Sequence, residues 1–118
     1  MSRDLAKWLK TAVAVIPAAM AAGPVAAQTT AGTCLVIEST TLADNQPCIR
    51  EMASRIDEEG HEHIVRTHVW PSGARTIVET VQEVFLVNGE DAVPVGGTMG
   101  LSCFFNRTTS RVFCFFEN

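Results

Sequence analysis

Two apolar runs near the end of the chain, 101–106 and 111–116, flank the polar stretch Arg107-Thr108-Thr109-Ser110. A turn centred on Thr108-Thr109 sets Phe105 opposite Val112, Phe104 opposite Phe113 and Cys103 opposite Cys114. Directly opposed residues of a non-hydrogen-bonded antiparallel pair bring their Cβ atoms close, near the separation a disulfide requires. No other feature constrains the fold as much, because this one fixes a strand pair, a register and a covalent link together. Cys103–Cys114 is the expected bridge. Cys34–Cys48 then follows by elimination among the three pairings that four cysteines allow. C-x-x-C spacing is absent, which argues against a thioredoxin-type redox pair and against a zinc knuckle.

Disulfides need an oxidising compartment, and the first residues carry an address. Arg3, Lys7 and Lys10 stand against Asp4, residues 11–22 carry no charge, and Val25 and Ala27 place small residues at −3 and −1 of a cleavage site. This pattern predicts a signal peptide over 1–27, cut after Ala27, and a periplasmic or secreted product. A membrane span needs about 20 apolar residues, whereas this run is interrupted by Pro17, Gly23 and Pro24. Cys34 lies too far beyond it for a lipoprotein anchor. The short leader and alanine-rich cleavage site look bacterial.

Cleavage leaves 28–118, a single domain of 118 − 27 = 91 residues. Both lysines leave with the leader; six arginines remain against twelve acids, so the formal charge moves from −4 to 6 − 12 = −6. That sign argues against nucleic acid and anionic lipid surfaces, which select basic patches. So short a chain buries only about 60–65% of its unfolded surface, which makes covalent bridges valuable.

The rest reads as strands and turns. Thr33–Ser39 is an apolar strand, and 40–47 is a polar connection with Asp44, Asn45 and Pro47 as turn residues. Cys48–Asp57 has two readings. Ile49, Met52, Ala53 and Ile56 form a helical stripe, so a short helix near 48–58 is one. The other is a strand paired back on Thr33–Ser39, which brings Cys34 near Cys48; we read it as strand. His63–Trp70, the turn Pro71-Ser72-Gly73 and Ala74–Val81 form a hairpin. Val84–Val87, Asn88-Gly89 and Glu90–Val95 form another, since Asn-Gly supplies the two positive φ values of a tight hairpin turn. The expected fold is all-β: a small antiparallel sandwich or barrel of six to eight short strands with two disulfides. The phenylalanines at 104, 105, 113, 115 and 116 are expected to pack on both faces of the last hairpin.

Residues able to carry chemistry are few. His61 and His63 share a strand face beside Glu59 and Glu62, and His-x-His with a carboxylate is a donor set for zinc or copper. They are the metal candidates, although no third ligand is evident and no cofactor is expected. Ser72 lies outside any nucleophile elbow. Glu79 and Glu83 share a strand face, as solvent-facing acids commonly do. No catalytic residue is assigned, and the chain is not expected to be an enzyme. Trp70, beside the Pro-Ser-Gly turn, and Arg75 are candidate binding residues, because aromatic and arginine residues near each other are favoured at binding hot spots. Asn106-Arg107-Thr108 is a glycosylation sequon, relevant only in a eukaryotic host.

Ser72-Gly73-Ala74-Arg75, with Gly89 and Ala92 at their present spacing, resembles the Ser-Gly-x-x motif and following strand of the periplasmic C-type lysozyme inhibitors. The likeness covers about 20 residues, 72–92. Thr76 stands where that family has tyrosine, Phe85 and Leu86 where it has tryptophan, and the cysteines differ in number and placement. The resemblance implies a small exported β-barrel whose Ser72 and Arg75 enter a lysozyme cleft. Apart from that resemblance, the leader, the disulfides and the lack of a catalytic constellation give the expected function of an exported, non-catalytic binding or accessory protein of unknown process, a protein in the envelope being one candidate partner. Inhibition of a cell-wall hydrolase through the 71–75 turn, and metal binding through His61 and His63, are the alternatives.

Overall fold

Eight strands follow one another in the computed structural model, which describes residues 28–98 and 100–118. They are β1 Gln28–Glu38, β2 Thr41–Ile56, β3 Glu62–Val69, β4 Arg75–Val81, β5 Val84–Val87, β6 Glu90–Pro94, β7 Leu101–Asn106 and β8 Arg111–Glu117. The leader and its expected cleavage after Ala27 lie outside the described residues. Each strand pairs antiparallel with the next, and β8 returns to β1, closing a barrel. Closure leaves no full-length sheet edge exposed. The all-β expectation holds, at the upper end of the strand count and as a barrel.

Inward positions alternate with outward ones along every strand. Cys34, Cys48, Val78, Val87, Ala92, Phe104, Phe113 and Phe115 form the buried cluster inside, with Val36, Trp70 and Phe85 packed against it. The last hairpin has the expected register: Phe105 pairs with Val112, Phe104 with Phe113 and Cys103 with Cys114. Both expected disulfides are present, Cys103–Cys114 with Cα atoms 4.1 Å apart and Cys34–Cys48 with 5.8 Å. They sit on opposite faces. Cys34–Cys48 belongs to the core, whereas Cys114 has the opposite parity to Phe113 and Phe115 and bridges the outside of the wall. Phe116 also points outward and is 48% exposed, so the phenylalanines do not pack on both faces. A single-layer barrel has no second sheet to cover that side.

Residues 40–47 are not a polar connection but the first half of β2, and β1 starts at Gln28 rather than Thr33. The chain reverses at Ser39-Thr40, where Ser39 has φ 56°. The Asp44-Asn45 signal marks a bulge instead: Val36 pairs with Asp44 and Ile37 with Leu42, leaving Ala43 as the extra residue. Pro47 is tolerated because β2 joins β3 only from Ile49 onward, so its missing N–H faces no neighbouring strand. Cys48–Ile56 is strand and not helix, with Cys48–Met52 paired to residues 28–32 of β1 rather than to 33–39. The helical stripe fails because it is not a buried face: Ile49 is 39% and Ile56 61% exposed.

Antiparallel succession puts the turns 39–40, 70–74, 88–89 and 107–110 at one end, here the upper end. The turns 57–61, 82–83 and 95–100 lie at the lower end. Asn88 (φ 51°) and Gly89 (φ 81°) adopt the expected conformation. Gln82 (φ 50°) and Glu83 (φ 71°) do the same without either residue type that favours it. Left-handed conformations at ordinary residues cost on the order of 1 kcal/mol each. Gln82→Asn with Glu83→Gly is therefore expected to add roughly 1–2 kcal/mol. A thermal melt checks this, with about 4–8 °C gained per kcal/mol.

Candidate functional site

The upper end is open. One cleft of about 300 Å³ has a floor of Val36, Val87 and Phe113 and a rim of Asn88, Glu90 and Arg111. A second, of about 260 Å³, lies between Trp70 and Ser72 on one side and Asp44 and Gln46 on the other. The two share Val36 and Thr76. Trp70 is fixed beside that junction: its Nε1–H donates to Thr76 Oγ1 at 2.9 Å, and its ring meets Phe113 edge-on with centroids 6.3 Å apart. The rim is also braced. Asn106 donates from Nδ2 to Glu90 at 2.9 Å, and its Oδ1 accepts the N–H groups of Thr108 and Thr109. The asparagine of the sequon is thus buried and holds the 107–110 turn. Asn88 Oδ1 accepts the N–H of Ile77 at 2.8 Å. Arg111 is ion-paired with Glu38 at 2.6 Å, both well exposed.

The 70–74 turn is closed by three hydrogen bonds. Trp70 N–H donates to the Ala74 carbonyl, Gly73 N–H to the Trp70 carbonyl, and Ala74 N–H to Ser72 Oγ. Gly73 needs its φ of 93°, which a side chain would strain. Of the three candidate binding residues, Trp70 and Ser72 face the second cleft. Arg75 does not join them. It opens β4 as an exposed residue opposite Val69, on the outer face of the wall.

The histidines fall into two arrangements, His61 and His63 around Asp57 near the lower end and His68 inside the barrel. His63 is clamped on the outer wall near the lower end, with Nδ1 2.5 Å from Glu79 Oε2 and Nε2 2.8 Å from Asp57 Oδ2. Hydrogen bonds to Asp57 and then to Glu79 hold its pKa above the usual histidine value. The same His63 bond, with the backbone N–H groups of His61 and Glu59, pulls Asp57 down to about 2. The signs follow. His63 stabilises the fold below about pH 6.5 and loses that effect as pH rises through its raised pKa. Asp57 stabilises above its ordinary 3.8 and loses that effect as pH falls toward 2.

With both nitrogens engaged, His63 offers no free lone pair to a metal in this arrangement. Close donor atoms instead come from Asp57, Glu59 and His61, all within 4.8 Å of one another. The sequence reading missed Asp57 as a partner of both histidines and Glu79 as a partner of His63. Neither is adjacent in sequence, and only the β3–β4 register brings Glu79 across. Glu79 and Glu83 do not form a pair: Glu79 is on β4, ion-paired with Arg55 at 3.3 Å, and Glu83 is in the following turn.

His68 lies inside the barrel, 2% exposed, against Phe113 and Phe115. Its Nδ1–H donates to the Thr76 carbonyl at 3.1 Å. Burial among aromatic rings pushes its pKa down to about 4. The unfolded chain binds this proton more readily, so stability falls as pH drops from about 6.5 to 4 and then levels. The full loss is about 3 kcal/mol. His68→Asn keeps a donor for Thr76 without titrating. Urea melts from pH 7 to pH 4 are expected to show this loss in the parent and a much flatter profile in the variant.

The described domain is a disulfide-bonded, closed, eight-stranded up-and-down barrel with one cleft-bearing end. Compared with protein-family models, curated proteins and solved structures, the chain matches none.

Proposed function

We propose that this chain is an exported, non-catalytic binding protein that takes its ligand at the Trp70 end of the barrel. The observation that carries the reading is the pair of clefts meeting at Val36 and Thr76, with an apolar floor, a polar rim and Trp70 fixed beside the junction. Eight-stranded barrels have room for one small ligand at such an end. Two disulfides within so small a domain favour an oxidising compartment, in keeping with the leader. The non-catalytic part rests on the residues available there. Ser72 Oγ accepts the N–H of Ala74, and the histidines lie at the lower end or in the interior.

Cleavage of the leader would leave Trp70 as the sole tryptophan in a chain without tyrosine, so intrinsic fluorescence reads this site alone. The test is a fluorescence titration of the oxidised protein with fractionated periplasmic small molecules. A saturable change that Ser72→Leu, bulky but not fluorescent, blocks supports the reading; a flat response across all fractions overturns it.

Inhibition of a cell-wall hydrolase is a second reading, favoured by the hydrogen-bonded 70–74 turn with Ser72 exposed on it and Arg75 exposed at the start of β4 just beyond. A lysozyme assay decides it. Inhibition at micromolar protein, lost in Ser72→Ala with Arg75→Ala, supports it; full lysozyme activity removes it.

A further inference from the structure

The alternation that turns Cys48 and His68 inward also turns Arg50 and Arg66 inward. Arg50 is paired opposite His68 and Arg66 opposite Met52, so the two guanidinium side chains are diagonal neighbours on one interior face. Arg50 lies over the Phe115 ring, with Cζ 4.7 Å from the centroid, and its Nη2 donates to Glu117 at 3.1 Å. Its Nε is buried without a hydrogen-bond partner. Arg66 is half-buried, donates from Nη1 to Thr80 Oγ1 at 3.0 Å, and has no ion-pair partner among the described residues. Of these two buried or half-buried cations, only Arg50 has a carboxylate partner, Glu117. An unpaired cation taken out of water is unfavourable, as is a buried donor left unmade. Burial and the neighbouring Arg50 charge both lower the Arg66 pKa.

We propose that Arg50 and Arg66 form a second binding site, distinct from the Trp70 end, for a small organic carboxylate with an aliphatic tail. The planar fork of Arg66 matches a carboxylate bidentately, and the Arg50 charge diagonal to it adds to the attraction. Met52 and Ile64 lie on the same interior face and are half-buried, so the tail runs along them toward the lower end. Arg66 is partly exposed and Glu117 is exposed, so solvent reaches this pair from that end.

The test is calorimetric titration of the cleaved, oxidised protein with sodium octanoate, with 1-octanol and inorganic phosphate as comparators. Saturable octanoate binding is expected, with neither comparator matching it. Arg66→Gln is expected to weaken it by about tenfold or more. Arg66→Lys keeps the charge but loses the fork, and provides the same comparison if the glutamine variant does not fold; it is expected to weaken binding several-fold. Absence of saturable octanoate heat, equal binding of octanol or phosphate, or undiminished affinity in the folded Arg66 variant overturns the proposal. Trp70 lies outside this site, so the result stands apart from the fluorescence test above.

Discussion

Replacing Cys34 and Cys48 with alanine is expected to leave the domain largely unfolded at 37 °C. The corresponding Cys103 and Cys114 variant is expected to fold with a lowered melting temperature. The chain-entropy contribution does not distinguish the two bridges, since they close loops of similar separation, 14 and 11 residues. Each gains about 3 kcal/mol from that source. Location separates them. Cys34 is fully buried and Cys48 nearly so, both within the core cluster, so removing their sulfurs also leaves a void among aromatic and aliphatic side chains. That adds about 1–2 kcal/mol. The outer bridge leaves a smaller void: Cys114 is buried but lies outside the core cluster, on the face away from Phe113 and Phe115, and Cys103 is partly exposed. Domains of this size hold roughly 5–14 kcal/mol in total, so the inner loss consumes much of the margin. Circular dichroism melts of the two double variants under non-reducing conditions check the ranking. Equal losses would mean that the inner site collapses around the missing sulfurs.

The last hairpin was legible to the residue, because alternating apolar runs, a polar turn and two cysteines all demanded one register. Asn88-Gly89 was legible because its turn conformation requires those residue types. The first half of β2 was not, because Asp44, Asn45 and Pro47 are turn residues in any local reading. Only the ladder with β1 makes a bulge of the first two and a tolerated position of the third. The Gln82-Glu83 reversal was missed for the opposite reason: its left-handed residues carry no marker, and strand pairing imposes the conformation. Among site residues, Trp70 and Ser72 share a cleft as the turn signal suggested. Arg75 points away because a one-residue step along a strand changes faces. The interior arginines escaped notice because a charged residue at an inward position reads from sequence as a solvent-facing one. Barrel closure is a property of all eight pairings at once, and no local segment announces it.

Phe115→Ala is expected to cost about 3–5 kcal/mol, the range for a fully buried aromatic. Phe115 is 2% exposed and organises its surroundings. His68 packs against it at 5.1 Å between centroids, Arg50 lies over its face, and Gly32 on β1 leaves the space its ring occupies. A Cβ added at Gly32 would meet the Phe115 ring and the Phe116 carbonyl oxygen. Gly32→Ala is therefore expected to cost about 1–3 kcal/mol by overpacking. The two changes act on one volume from opposite sides. In the double variant the alanine methyl no longer meets a ring, although it still meets the backbone oxygen. The combined loss is thus expected to fall short of the sum by about 1 kcal/mol, within the range for residues in contact. Urea denaturation of the parent, both single variants and the double variant measures this coupling, provided the denaturant slope is unchanged. Simple additivity would show that Gly32 is required by the Phe116 backbone alone and not by the Phe115 ring.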